Sequence, residues 1–190
     1  MTSSDFSRLV GRLRLPLGFV LGGLYLIFAR PTPASLTLGA VIAFIGVCIR
    51  GWAAGHIMKN NRLATTGPYA HTRNPLYFGS FLIAAGFAIA AHWSLLLLVI
   101  TFFVIVYWPT IEREKAFVQG KFPEEYVGWE ANVPLFVPRV TPWHGGGEGN
   151  GAGNGGFSWA LYMRHREWQA LLVYGLAVAW LAYRAVSGTP

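Results

Sequence analysis

Charge is what this chain has least of. Asp, Glu, Lys and Arg make up only 12% of its 190 residues, against roughly 25% in a typical soluble domain. So few polar residues cannot cover a soluble globule of this size, which argues against an ordinary soluble enzyme. Acidic residues are scarcer still, 8 against 15 Lys and Arg, for a net charge of +7. The bases are sparse and flank apolar runs, which favours a membrane surface over nucleic acid. There is one cysteine, Cys48, so an internal disulfide or a cysteine-rich metal site is excluded. It lies in an apolar run and reads as a small membrane-core residue. His56, His71, His92, His144 and His165 show no H-x-x-x-H spacing, and no metal site is expected. What remains is 54% hydrophobic and 15% aromatic, with 8 Trp. Such a chain is neither disordered nor a nucleic-acid-binding tail. It is the composition of a small, one-domain integral membrane protein.

A helix needs roughly 20 apolar residues to cross the hydrocarbon core. Five candidates stand out: Leu15 to Ala29, Leu36 to about His56, Leu76 to Ala91, Trp93 to Ile111, and Trp168 to Val186. The first is short, but Arg14 and Arg30 flank it and no A-x-A-type cleavage site follows, so it reads as an anchor. His92 alone separates the third and fourth, which predicts a tight hairpin. Five spans with the N-terminus inside put twelve basic residues on the cytoplasmic face and leave two, Arg30 and Arg184, outside. That asymmetry predicts this orientation. An all-α membrane bundle of about five transmembrane helices with a cytoplasmic interfacial segment is therefore expected.

Both long polar segments, Lys59 to Pro75 and Glu112 to Glu167, then share the cytoplasmic face. Glu112 to Lys121 reads as a helix continuing out of the fourth span, broken by Gly120 and Pro123. Phe122, Tyr126 and Trp129 recur at helical spacing, which suggests a short helix lying in the interface. From Gly145 to Gly156, eight of twelve residues are Gly. This is a flexible linker, not a phosphate loop, since no strand precedes it and no G-K-[ST] follows. The expected organisation is a membrane domain over 1–144, the linker over 145–156, and an additional C-terminal helix over 157–190. Gly79 and Gly86 are seven apart on one helix face and suit close packing with a neighbour.

The informative stretch is Gly67-Pro-Tyr-Ala-His-Thr-Arg-Asn-Pro-Leu-Tyr-Phe-Gly79. Gly67-Pro68 is turn chemistry, and Pro75 suits the first turn of a helix. Tyr69, His71, Arg73 and Tyr77 thus crowd the mouth of a helix hairpin. One reading is an interfacial aromatic and basic anchor. The other is a cavity lining, where polar groups are tolerated at membrane depth. His56, at the end of its span, is either structural or part of that lining. Arg50 either snorkels or faces the cavity. His165, between Arg164 and Arg166, reads as a positive-inside anchor.

The same stretch resembles the signature of the isoprenylcysteine carboxyl methyltransferase and phospholipid methyltransferase superfamily, close to G-x-Y-x-x-x-R-[HN]-P-x-Y. A second block, Glu112 to Tyr126 followed by Val133 to Pro138, resembles the family's E-E-x-x-L-x-x-x-F-G-x-x-Y and V-x-x-x-x-P. The two blocks stand in family order with one hairpin between them, and the likeness covers about Leu36 to Arg139. Asn74 stands where the family frequently has His. Glu114 matches the first Glu of the pair, Lys115 replaces the second, and Glu112 is a candidate substitute. Pro123 replaces the family's Gly.

The resemblance implies S-adenosylmethionine bound at the cytoplasmic mouth and a membrane-embedded, lipophilic or lipid acceptor, with no nucleic acid. Its implied cofactor site is Tyr69, Arg73, Asn74, Pro75, Tyr77 and Glu114, with His56 and Glu112 as additional candidates. Arg73 would bind the cofactor carboxylate and Glu114 its amino group. Tyr69 and Tyr77 would face the adenine or the sulfonium. Arg73, Glu114 and His71 are the candidate catalytic residues, with His71 or His56 as base for an amine or thiol acceptor. A minimal prokaryotic form in the cytoplasmic membrane is the expected setting. Two alternatives stand: an NADPH-dependent membrane reductase of the sterol-reductase type, and a non-catalytic membrane interaction protein. The first should carry additional bases for a 2′-phosphate, and this loop offers only Lys59, Arg62 and Arg73.

Overall fold

The first helix of the bundle begins where the sequence supplies a start signal. Thr32 accepts a hydrogen bond from the Ser35 backbone through Oγ1 at 3.1 Å, and Ser35 Oγ accepts from the Thr32 backbone at 3.0 Å. This reciprocal capping satisfies two orphan donors, and Pro33 occupies the first helical position, where its missing N–H costs nothing. The result is α1, Pro33–Ala54. The computed structural model describes residues 29–57, 63–145 and 156–187, together with 18, 22, 23 and 25. Most of the anchor expected over Leu15 to Ala29, the bases Lys59 and Arg62, and nearly all of the Gly-rich linker lie outside the described residues.

α2 is Pro75–Ala91 and α3 is Leu95–Lys121. They are joined by the hairpin that the His92 interruption predicted. α4, Pro123–Asn132, follows at the Pro123 break, and α5, Trp159–Arg164, leads into α6, Trp168–Ser187. Among the described residues the structure is all-α. α1, α3 and α6 are long and apolar enough to cross a membrane. α2, with 17 residues, spans roughly 26 Å at 1.5 Å per residue, slightly less than a hydrocarbon core of about 30 Å. The chain is an integral membrane helical bundle.

α1 and α2 form its centre. Without a hydrophobic driving force between helices in lipid, close backbone packing of small residues does the work. Gly39 meets the Gly86 carbonyl and Ala90, and Gly46 meets the Gly79 carbonyl and Ile83. The glycines seven apart on α2 are answered by glycines seven apart on α1, running antiparallel. Ala43, fully buried, fits beside Gly86. A Cβ at any of these four glycines would collide with the facing backbone.

α3 contains one wide π-helical turn, Phe103–Tyr107. Pro109 is its cause in the sequence: a proline inside a helix cannot donate to the carbonyl four residues back, and its ring crowds that carbonyl. A widened turn relieves both problems. It also stacks Tyr107 on Phe103, with ring centroids 4.3 Å apart, and brings Tyr107 edge-on to Tyr77.

The C-terminal segment docks on α1. Ser158 N–H donates to the Gly55 carbonyl at 2.9 Å, and Tyr174 hydroxyl donates to the Ala40 carbonyl at 3.1 Å. His165 Nδ1 bonds the Ala54 carbonyl at 3.2 Å. That places His165 as a cap on the open end of α1 rather than as the surface anchor its basic neighbours suggested.

Candidate functional site

The two motif blocks, some 60 residues apart in sequence, are held together by backbone carbonyls. Arg73 N–H donates to the Pro134 carbonyl at 2.9 Å. The Asn74 side-chain amide donates to the Leu135 carbonyl at 3.0 Å. Thr72, buried, donates through Oγ1 to the Phe136 carbonyl at 2.9 Å. Arg139 N–H returns to the His71 carbonyl, and Trp129 Nε1 donates to the Tyr69 carbonyl at 2.9 Å. Buried backbone groups must be paired, so each block supplies the partners the other lacks. Asn74, where the family often has His, acts here as a side-chain donor that fixes the loop.

The loop entering α2 begins at Gly67, whose φ of +58° is a conformation that favours glycine. The His56 ring fills the space where a Cβ would sit, only 2.6 Å away. Gly67 to Ala70 forms a short 3₁₀ turn with Pro68, Tyr69 and Ala70 buried. α4 closes over it. Tyr126 and Trp129, 2% and 4% exposed, pack inward on Ala53, Tyr69 and Val133. The aromatics that suggested a helix lying in the interface therefore form a wall of the site.

Between these elements lies a half-open cavity of about 600 Å³, within the usual range of small-molecule sites, roughly 300–1,000 Å³. Six of the nine residues proposed from sequence line it: Tyr69, Arg73, Asn74, Pro75, Tyr77 and Glu114. Tyr77 hydroxyl donates to Glu114 Oε1 at 2.8 Å, joining α2 to α3. Arg73 donates through one terminal nitrogen to Tyr126 hydroxyl at 2.8 Å and to Glu130 Oε1 at 2.7 Å. Lys115 Nζ is 2.8 Å from the same Glu130 oxygen. Hydrogen bonding from Lys115, then from Arg73, holds the Glu130 carboxyl below its ordinary range.

Two polar atoms here are buried without a hydrogen-bond partner among the described residues: Tyr69 Oη and Arg73 Nε. Both belong to residues that line the cavity. Unsatisfied buried donors are costly, about 1–3 kcal/mol each, and such groups call for an explanation. Burial pushes the Tyr69 hydroxyl well above the ordinary tyrosine range. The charges of Glu114 and Glu167 push the same way, and Arg50 opposes them. The hydroxyl is therefore a neutral donor across the physiological range.

The remaining three proposed residues do not line the cavity. His71 Nδ1 is 2.9 Å from the Arg139 carbonyl, and its ring lies against Trp52. His56 Nδ1 is 2.9 Å from the Trp52 carbonyl, and its ring packs on Gly67 and Phe157. In both, a ring N–H must donate, because a carbonyl only accepts. Glu112 is exposed on α3, two residues off the cavity-facing row of Glu114, Lys115 and Val118, so it does not replace the missing second Glu. Sequence reasoning missed Glu130, Lys115 as a cavity residue, Tyr107, Ser80 and Glu167. Only Glu130 carried a signal, standing four residues after motif Tyr126 on the same helical face.

Arg50 turns into the cavity wall rather than snorkelling. Nε and a terminal nitrogen clasp both oxygens of Glu167, at 3.0 and 2.6 Å, and the other terminal nitrogen donates to Ser80. The fold and the site together define an all-α membrane bundle whose ligand-sized cavity is lined by apolar side chains with a few charged and polar groups among them.

The comparisons give the family. Residues 35–125 match the phospholipid methyltransferase family. Over this segment the chain belongs to the superfamily of isoprenylcysteine carboxyl and phospholipid methyltransferases. It is similar to the cobalt-zinc-cadmium resistance protein CzcN of Cupriavidus metallidurans, at 31% identity over 72% of this chain and 66% of that protein. The protein-S-isoprenylcysteine O-methyltransferase of Schizosaccharomyces pombe is 26% identical over 72% of this chain and 60% of its own length. The nickel-cobalt-cadmium resistance protein NccN of Alcaligenes xylosoxydans is 32% identical over 55% of this chain and 48% of its own. The matches thus span 48 to 66% of the lengths of these relatives. No solved structure matches the chain.

Proposed function

We propose that this membrane protein uses S-adenosylmethionine to methylate a lipophilic acceptor that enters its cavity from the bilayer. The observation that carries the reading is the pair of buried, unpartnered donors, Tyr69 Oη and Arg73 Nε, in a cavity that also holds Glu114. The donor set fits the cofactor. Arg73, fixed by Glu130 and Tyr126, keeps Nε for a carboxylate. Glu114, oriented by Tyr77, is an acceptor for an ammonium group. Tyr69 and Tyr77 offer aromatic faces to a cation. When bound, the cofactor supplies a methyl group on a positively charged sulfur.

The chain's own contribution is positioning and exclusion of water, which together can supply most of such a rate. Among the described residues no histidine lines the cavity, since His56 and His71 face away from it. A carboxylate acceptor, already ionised, needs no general base, and that class suits the site better than an amine or thiol. The twelve-to-two charge asymmetry supports a cytoplasmic location for the site and the N-terminus.

Calorimetric titration of the purified full-length protein with S-adenosylhomocysteine tests the reading. Saturable binding is expected, and a folded protein that takes up none refutes it. Labelled methyl donor with a membrane lipid extract then tests the acceptor class. A label released by mild alkali as volatile methanol marks a methyl ester, and a label that stays non-volatile marks an amine or ether.

A further inference from the structure

The matched family segment ends at residue 125, yet one wall of the cavity depends on a residue 42 positions further on. After the Gly-rich linker the chain returns through α5, anchored by Ser158 and His165 on the open end of α1. It then reverses at Arg166, whose φ of 56° is unusual for a non-glycine residue. That turn aims Glu167 back into the bundle. Its side chain is 10% exposed and grips Arg50 with both oxygens. Arg50 itself is a cavity-lining residue, tied on its other side to Ser80 and to the Leu76 carbonyl. The charges of both partners reach the buried Tyr69 hydroxyl, in opposite directions.

Arg50 alone would place an uncompensated cation in the wall of a cavity that, on the function proposed above, receives a cationic sulfonium. In a low-dielectric site like charges repel strongly. We propose that Glu167, supplied by the C-terminal segment, is a specificity-determining residue that neutralises Arg50 and lets the cavity accept a positively charged methyl donor. The C-terminal segment is then part of the binding site rather than an additional anchor. This inference rests on the cofactor assignment, and its own failure is distinguishable from the failure of that assignment.

The test compares two ligands of nearly the same shape, cationic S-adenosylmethionine and neutral S-adenosylhomocysteine, by calorimetry on the full chain in lipid nanodiscs. Wild-type protein that binds neither ligand refutes the cofactor assignment, and the present inference falls with it. With wild-type binding established, Glu167→Gln keeps the shape and the hydrogen-bond acceptor but removes the charge. The expected result is a loss of affinity for the cationic ligand relative to the neutral one of roughly tenfold, the scale of an unscreened charge at a partly buried site. An equal loss for both ligands, or no change in their ratio, overturns the proposal and leaves Glu167 a structural clamp. If Glu167→Gln does not fold, Arg50→Gln carries the test, since it leaves the carboxylate without its cation. The ratio then shifts towards the cationic ligand, and a shift the other way or none overturns the proposal.

Discussion

Replacing Tyr69 by Phe should make the protein more stable and a poorer binder at once. The ring stays, with its packing on Ala53, Tyr126 and Trp129. Only the hydroxyl goes, and that oxygen is buried with no partner among the described residues. An unsatisfied buried hydroxyl costs about 1–3 kcal/mol, so its removal should stabilise the ligand-free protein by about 1 kcal/mol after some relaxation. If the hydroxyl bonds the cofactor, the same change should weaken S-adenosylhomocysteine binding by about 1 kcal/mol, roughly five- to tenfold. The two effects have opposite signs, which separates a ligand-facing donor from an ordinary core hydroxyl. Linkage adds a third signature. Tyr69 has its pKa raised on folding by burial, so it adds no pH dependence to stability below about pH 10 and lowers stability as the pH rises further, because the buried hydroxyl resists ionisation that the unfolded chain allows. Tyr69→Phe removes that part of the alkaline sensitivity. Thermal unfolding in detergent at pH 7 and pH 10.5, with calorimetric titration at pH 7, reads all three. A variant less stable than wild type at pH 7 would show that the hydroxyl has a partner in the free protein. One with unchanged affinity would show that it does not face the ligand. Either result refutes the reasoning.

Arg73→Lys loses Nε and the planar fork, and should weaken S-adenosylhomocysteine binding roughly ten- to a hundredfold, the worth of a hydrogen bond to a charged group; calorimetry reads it. Glu130 has a carboxyl pKa lowered by Lys115 and Arg73. Its hold on Arg73 should therefore persist at every pH above the ordinary carboxylate range and fail only as the pH falls through the lowered value. Binding titrations carried down from pH 8 should stay flat through the ordinary carboxylate range and drop only below it, and Glu130→Gln should show the weakened binding throughout. Gly79→Leu sets a Cβ 2.7 Å from both Arg50 Cγ and the Gly46 carbonyl and should cost at least about 1–3 kcal/mol by overpacking. Gly120→Ala, in open space on α3, should instead stabilise by about 0.5–1 kcal/mol. Thermal unfolding of the two variants side by side checks the contrast.

The legible part of this protein was set by local and one-dimensional physics. Apolar runs of spanning length, with charge confined to their ends, specified a membrane bundle because no other arrangement satisfies backbone polar groups in lipid. Gly67-Pro68 marked a turn, Pro75 the start of α2 and Pro123 the break after α3, because proline restricts its own backbone and glycine frees it wherever each stands. Glycines seven apart gave the contact face of α2. The motif residues Tyr69, Arg73, Tyr77 and Glu114 announced a site by resemblance.

Only the tertiary structure could decide which side of a helix a polar residue serves. His56 and His71 stand among the motif residues in sequence, yet the turn at Gly67 and the carbonyls of Trp52 and Arg139 direct them away from the cavity. Glu130 and Lys115 belong to different helices, and nothing one-dimensional pairs them until α4 folds across the mouth. Glu167 lies beyond a flexible linker and outside the matched family segment. Its place against Arg50 follows from a left-handed turn at Arg166 and from the need of a partly buried guanidinium for a counter-charge. Sequence fixes where charge occurs along the chain, but the low dielectric of a folded interior fixes which opposite charges must meet.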